Sequence, residues 1–153
     1  MFFIKTNLTQ LKTKLLTIII LLSSQAYSQV LTSPTLPVKL THSFSQETYN
    51  LNISWVSQRN EFAKNINGNI EFTSQLQVQS FLNAIKNTLI SIENGSLNGF
   101  YEYNFRDDLY YSISYSNSNI TLFDDYAEFI KLNVSECNTL VDEIEKVLSQ
   151  SIE

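Results

Sequence analysis

Residues 73–95 read TSQLQVQSFLNAIKNTLISIENG, and this stretch decides the fold. Val78, Phe81, Leu82, Ile85, Leu89 and Ile92 recur at spacings of three and four, which gathers them on one side of a 3.6-residue helix. Both ends are marked. Ser74 with Gln77 three residues on has the pattern of a capping box, and Asn94-Gly95 suits the left-handed turn that ends many helices. An apolar stripe this regular needs a surface to cover, and the flanking segments supply one.

Upstream, Val38, Leu40, His42 and Phe44 alternate with polar residues, and Tyr49, Leu51, Ile53 and Trp55 do the same, the period-two signature of half-buried strands. A third strand is expected over about 61–72, with Phe62, Ile66, Ile70 and Phe72 on one side; Asn67-Gly68 within it reads as a hairpin turn or a bulge. Downstream, Tyr101, Tyr103 and Phe105 share a face, Asp107-Asp108 marks a turn, and Tyr111, Ile113 and Tyr115 share the next face. After a turn at Asn117-Ser118-Asn119, Ile120, Leu122, Tyr126, Ile130 and Leu132 occupy even positions, as one long bent strand or as a hairpin turning at Asp124-Asp125. Ser135 reads as the N-cap of a second helix, whose buried stripe is Cys137, Leu140, Val141, Ile144, Val147 and Leu148.

The expected class is therefore α+β, with antiparallel sheet covered by two amphipathic helices. The halves also fall into phase. A shift of 60 sets Leu51 on Tyr111, Ile53 on Ile113, Ile70 on Ile130 and Phe72 on Leu132, and a shift of 59 sets Phe81 on Leu140 and Ile85 on Ile144. Duplicated βββα units are expected on that ground, as repeats 38–95 and 99–150. In layout alone this tandem order resembles PUR-type and Whirly-like nucleic-acid-binding folds, which implies a nucleic-acid-binding sheet face.

Charge argues against that implication. In residues 1–28, Lys5, Lys12 and Lys14 precede an apolar run from Leu15 to Leu22 and then small residues, which is the grammar of a secretory signal peptide. The run is about eight residues, well short of the roughly 20 that span a bilayer, so no permanent membrane anchor is expected. Cleavage after Ala26 or after Ser28 satisfies the small-x-small requirement, and the boundary is set at 28. Removing residues 1–28 takes three of the ten basic residues and none of the fifteen acidic ones, leaving seven against fifteen, a formal charge of −8. The remaining cations are scattered, whereas a nucleic-acid partner is held by clustered Lys and Arg, so none is expected. The reading is of a secreted or periplasmic acidic protein: a leader at 1–28, a short flexible arm at 29–37 and one domain at 38–150.

The full chain of 153 residues is 43% hydrophobic, enough for one core, and its single cysteine rules out an internal disulfide. One His and one Cys cannot build the usual zinc, copper or iron sets within one chain, and the isolated glycines form no phosphate loop. No cofactor is expected. Asp124-Asp125-Tyr126-Ala127-Glu128 lacks the ligand alternation of a calcium loop and reads as a solvated turn. His42 reads as a half-buried strand residue and Cys137 as a small buried hydrophobe with a raised pKa. Glu102, Asp107, Asp108 and Asp124 are the acids from which a carboxylate-dependent hydrolase would be assembled, but no spacing singles out an acid and a nucleophile.

What stands out is aromatic density between Phe100 and Tyr126. Parity places Phe100 and Tyr110 with Glu102, Asn104 and Arg106 on the side facing away from the helices, with Tyr101, Tyr103, Phe105, Tyr111 and Tyr115 beneath them. Aromatic rings flanked by Asn, Glu and Arg stack sugars or anchor proteins. Phe100, Glu102, Asn104, Arg106 and Tyr110 are thus the candidate binding residues of a small non-catalytic binding or accessory module. Its partner is expected to be a protein or a glycan, and self-association into a homo-oligomer is a further expectation.

Overall fold

A computed structural model describes residues 27–31, 36–44, 49–59, 66–105 and 109–150. Strands β1 (Tyr27–Leu31), β2 (Val38–Phe44), β3 (Tyr49–Val56) and β4 (Asn67–Phe72) precede helix α1 (Gln75–Glu93). Strands β5 (Asn98–Phe105), β6 (Leu109–Ser116), β7 (Asn119–Phe123) and β8 (Phe129–Asn133) precede α2 (Val134–Gln150). Each set of four forms an antiparallel meander in chain order, so the described residues form an α+β fold with two sheets and two helices.

Burial follows the alternation in sequence. Val38, Leu40, Leu51, Ile53, Trp55, Ile70 and Phe72 from the first sheet enter the same core as Tyr111, Ile113, Tyr115, Ile120, Leu122, Ile130 and Leu132 from the second. Val78, Phe81, Leu82 and Ile85 of α1 and Cys137, Leu140 and Ile144 of α2 belong to that core as well. Rings tie the parts together: Phe81 meets Tyr111 edge-on at 5.0 Å and Phe72 at 5.1 Å, joining α1, β4 and β6. Neither sheet closes a core of its own.

Several details differ from the sequence reading. Tyr27–Leu31 pairs with β2 along its whole length, Tyr27 opposite Phe44 and Leu31 opposite Leu40, where the sequence places the end of a leader and an arm. No alternation announces this strand, because its hydrogen bonds are main-chain groups that any residue carries. Asn67-Gly68 is neither turn nor bulge. Val56 pairs with Asn67 and Trp55 with Gly68 in unbroken register, and a Cβ on Gly68 would lie 2.4 Å from the Trp55 indole. The glycine makes room for a ring crossing from the neighbouring strand. Gly99 does the same for Tyr115, whose ring a Cβ would approach to 2.3 Å.

Of the two readings of the even-position run from Ile120 to Leu132, the structure gives the hairpin turning at Asp124-Asp125, but with Tyr126 in the turn, 77% exposed instead of core-facing. Asn117 and Ser118, both at positive φ, form the two-residue turn between β6 and β7. Tyr101 is 38% exposed rather than covered, since β5 is an edge strand; its hydroxyl lies 3.4 Å from that of Ser91, near the C-terminal end of α1. Ile66 is likewise exposed, one residue ahead of β4. Phe62, Arg106, Asp107 and Asp108 lie outside the described residues, as do the side chains of Asn104 and Phe105.

Caps follow the same rules at both helices. The Ser74 hydroxyl accepts from Gln77 N, while the Gln77 side chain reaches back to accept from Thr73 N at 2.7 Å. At α2 the N-cap is Asn133 and not Ser135: Glu136 N donates to Asn133 Oδ1 at 2.9 Å, and Asn133 N donates to Glu136 Oε2 at 2.8 Å. Asn caps at least as well as Ser, and with Asn133 in that place Ser135 falls within the first turn. The shift of 60 equates β3 with β6, the third strand of one sheet with the second of the other. Any even shift keeps a period of two in phase, so the pattern alone does not fix which strands correspond.

Candidate functional site

The outer face of the second sheet is built by β5 and β6, with Glu102 opposite Ser112 and Asn104 opposite Tyr110. Phe100 stands 59% exposed on this face with Glu102, and Tyr110 is half-buried. Glu102 and Tyr110 are diagonal neighbours, close enough for the tyrosine hydroxyl to donate to Glu102 Oε1 at 2.8 Å. That bond pushes the Tyr110 phenol above its ordinary range, and desolvation and the charges of Glu102 and Asp125 add to the effect. Tyr110 therefore stays a protonated donor at neutral pH, oriented by a carboxylate that keeps further acceptor capacity. Of the five residues predicted from sequence, the structure brings these three to one face. Asn104 joins them by its main chain, opposite Tyr110, and Arg106 is outside the described residues.

Tyr110 also borders a groove of about 340 Å³ between the sheets, lined by Asn69, Ile70 and Glu71 of β4, Leu109 of β6, and Asp125 and Tyr126 of the β7–β8 turn. Its chemistry is that of the sheet face: tyrosine rings, carboxylates and one amide. Glu71 is held by a hydrogen bond from the Asn50 side chain. A second groove of about 500 Å³, lined by Leu36, Pro37, Val38, Lys39, Ser54, Trp55, Val56 and Asn67, opens at the end of the first sheet.

Comparison with protein-family models, curated proteins and solved structures finds no match.

The acidic turn beside the groove is not the solvated loop its composition suggests. Asp124 is 2% exposed and Glu128 is buried. Asp124 Oδ1 accepts from Tyr126 N and Glu128 N, each at 2.9 Å, and Oδ2 accepts from Asn69 N of β4 at 3.1 Å. The last of these ties the edge of the first sheet to a turn of the second. Ala127, at φ 59°, donates its N–H to the Asp124 carbonyl and completes the tight loop. Glu128 Oε1 meets the Arg59 guanidinium at 3.3 Å, and the same nitrogen donates to Tyr126 O. Gln58 closes the outer edge of β8, donating its N–H to Phe129 O at 2.9 Å and accepting from Lys131 N at 3.1 Å. Asp124 is a structural acid whose oxygens are occupied by main-chain donors.

The remaining reactive residues are packed away. His42 is fully rather than half buried, its ring 4.9 Å from Phe44, and burial pushes its pKa down. The Cys137 thiol sits within the core, pushed up to about 12 by burial, and so lacks the thiolate that reactivity needs. Among the described residues no group of three or more His, Cys, Asp or Glu converges as metal ligands, and no helix is long and apolar enough to cross a membrane. Sequence reasoning missed Asn69, Glu71 and Tyr126 as neighbours of Tyr110. The acids and the tyrosine were visible, but the seam that gathers them depends on hydrogen bonds between residues 55 apart in sequence.

Proposed function

We propose that this chain is a secreted or periplasmic, non-catalytic binding module whose ligand face is the outer surface of β5 and β6, with Phe100, Glu102 and Tyr110 as contacts and Asn104 and Arg106 as the further contacts expected from sequence. One observation carries the reading: an exposed phenylalanine shares its sheet face with a tyrosine hydroxyl already aimed by a carboxylate, and Tyr110 leads from that face into the groove. Ring, donor and acceptor on a rigid ladder suit a glycan or a polar protein segment. Titration of a panel of oligosaccharides, and of proteins from the compartment to which the chain is exported, against wild type and a Phe100→Ala/Tyr110→Ala double variant tests it. Binding that the double variant loses while its circular dichroism is unchanged supports the reading; binding indifferent to both substitutions overturns it. The hydrolase alternative draws no support from Asp124, whose two oxygens serve three main-chain N–H groups.

Each run of four strands and a helix is one copy of a duplicated unit, supported by the same meander order and by caps placed at the same point of each helix. The leader is removed after Ala26: that cut leaves Tyr27–Leu31 intact as the first strand, whereas a cut after Ser28 deletes the residues opposite Phe44 and Ser43. The mass of the exported chain decides between them.

A further inference from the structure

We propose that β5 is the interface of a two-fold dimer, in which the strand pairs antiparallel with β5 of a second copy about Tyr101. Leu97 O accepts from Asn117 N, which extends the β5–β6 ladder and makes the odd residues of β5 the ones bonded to β6. Main-chain groups of Asn98, Phe100, Glu102 and Asn104 therefore face away from the sheet. Ser96 Oγ donates to Asn98 O; among the described residues nothing bonds the N–H and C=O of Phe100 and Glu102.

Two other edges are partly covered. Gln58 covers β8 by main chain and side chain, and Asp124 takes the outward N–H of Asn69 on β4. Strand β5 is eight residues long and contains no Lys or Pro, with Glu102 as its one charge. Its large apolar residues are also exposed, Phe100 and Tyr101 within the strand and Leu97, at 71%, just before it.

The backbone valences demand an extended strand, and this strand is its own complement in one register. Outward groups must meet outward groups, so even residues must pair with even ones. Centring on Glu102 sets two carboxylates face to face, and centring on Phe100 shortens the ladder. Centring on Tyr101 pairs Phe100 with Glu102 of the other copy and Asn98 with Asn104, with no like charges directly opposed. The result is one continuous eight-stranded sheet carrying two copies of the Phe100, Glu102 and Tyr110 face side by side. The dimer does not depend on that face binding a ligand.

Sedimentation velocity of the purified protein over a wide concentration range, combined with disulfide trapping, tests the dimer. Wild type is expected to show a reversible dimer. Phe100→Pro removes an outward N–H without touching the ladder to β6, and Phe100→Lys adds edge charge; each should weaken dimerisation by about tenfold or more. In the proposed register the two Tyr101 Cα atoms face each other as a non-hydrogen-bonded pair at about 4.5 Å, within disulfide reach. The Tyr101→Cys variant should then form a covalent dimer on mild oxidation, and the Asn98→Cys variant should not. A wild type that stays monomeric throughout overturns the proposal. So does a dimer that ignores both Phe100 variants, or one trapped by the Asn98→Cys variant and not by the Tyr101→Cys variant.

Discussion

Two acidic, tyrosine-bearing regions lie on either side of Tyr110, and they have opposite characters. In the β7–β8 turn, Asp124 is buried and both its oxygens accept main-chain hydrogens, while Glu128 is paired with Arg59. On the β5–β6 face, Glu102 is exposed and takes one hydrogen bond from a side chain that is itself on the surface. Composition treats the two alike. Acceptor capacity separates them: a carboxylate saturated by backbone donors holds the fold, and one that keeps free lone pairs in view of solvent can meet a partner.

Substitutions should divide along the same line. Ile144→Ala, a core truncation at full burial, sets the upper scale at about 2 to 5 kcal/mol by chemical denaturation. Asp124→Ala should follow at about 2 to 3 kcal/mol, because three amides lose a charged acceptor and the two sheets lose one of their links. A loss under about 0.5 kcal/mol would put Asp124 back among solvated turn residues.

Acid should act next. His42 has its pKa lowered in the fold, so the unfolded chain binds the proton more readily. Its contribution to stability is therefore complete above the ordinary value of 6.5 and is lost as pH falls below it. His42→Leu should flatten that part of the stability profile, and an unchanged slope would place the titration elsewhere. Arg59→Ala should cost about 1 kcal/mol or less, since the guanidinium is half exposed. Smallest is Tyr110→Phe, expected within about 0.5 kcal/mol by thermal melting, with its effect confined to ligand affinity. If Tyr110→Phe destabilises the fold as much as Asp124→Ala, the distinction between the two regions fails.

Most of the architecture was legible because burial repeats along the chain. The stripe from Val78 to Leu89 and the alternations of Leu51 to Trp55 and Tyr111 to Tyr115 each state which side is covered. What was not legible depends on main-chain pairing or on distant partners. Strand β1 carries no alternation, Tyr126 keeps the parity of a core residue while sitting at a turn, and Asp124 draws its role from Asn69. At the candidate site, parity correctly placed Phe100 and Glu102 outside. It did not foresee the groove beside Tyr110, because a groove between sheets is a property of their docking and not of either strand.

The indole that fills the notch at Gly68 is the chain's only tryptophan, and it belongs to the first sheet. Its fluorescence is thus a local lamp for that half, while the tyrosines of β5 and β6 light the other. Because both halves wrap one interior, the two signals should fade together on denaturation; a tryptophan transition running ahead of the tyrosine one would mean that the halves can come apart before they melt.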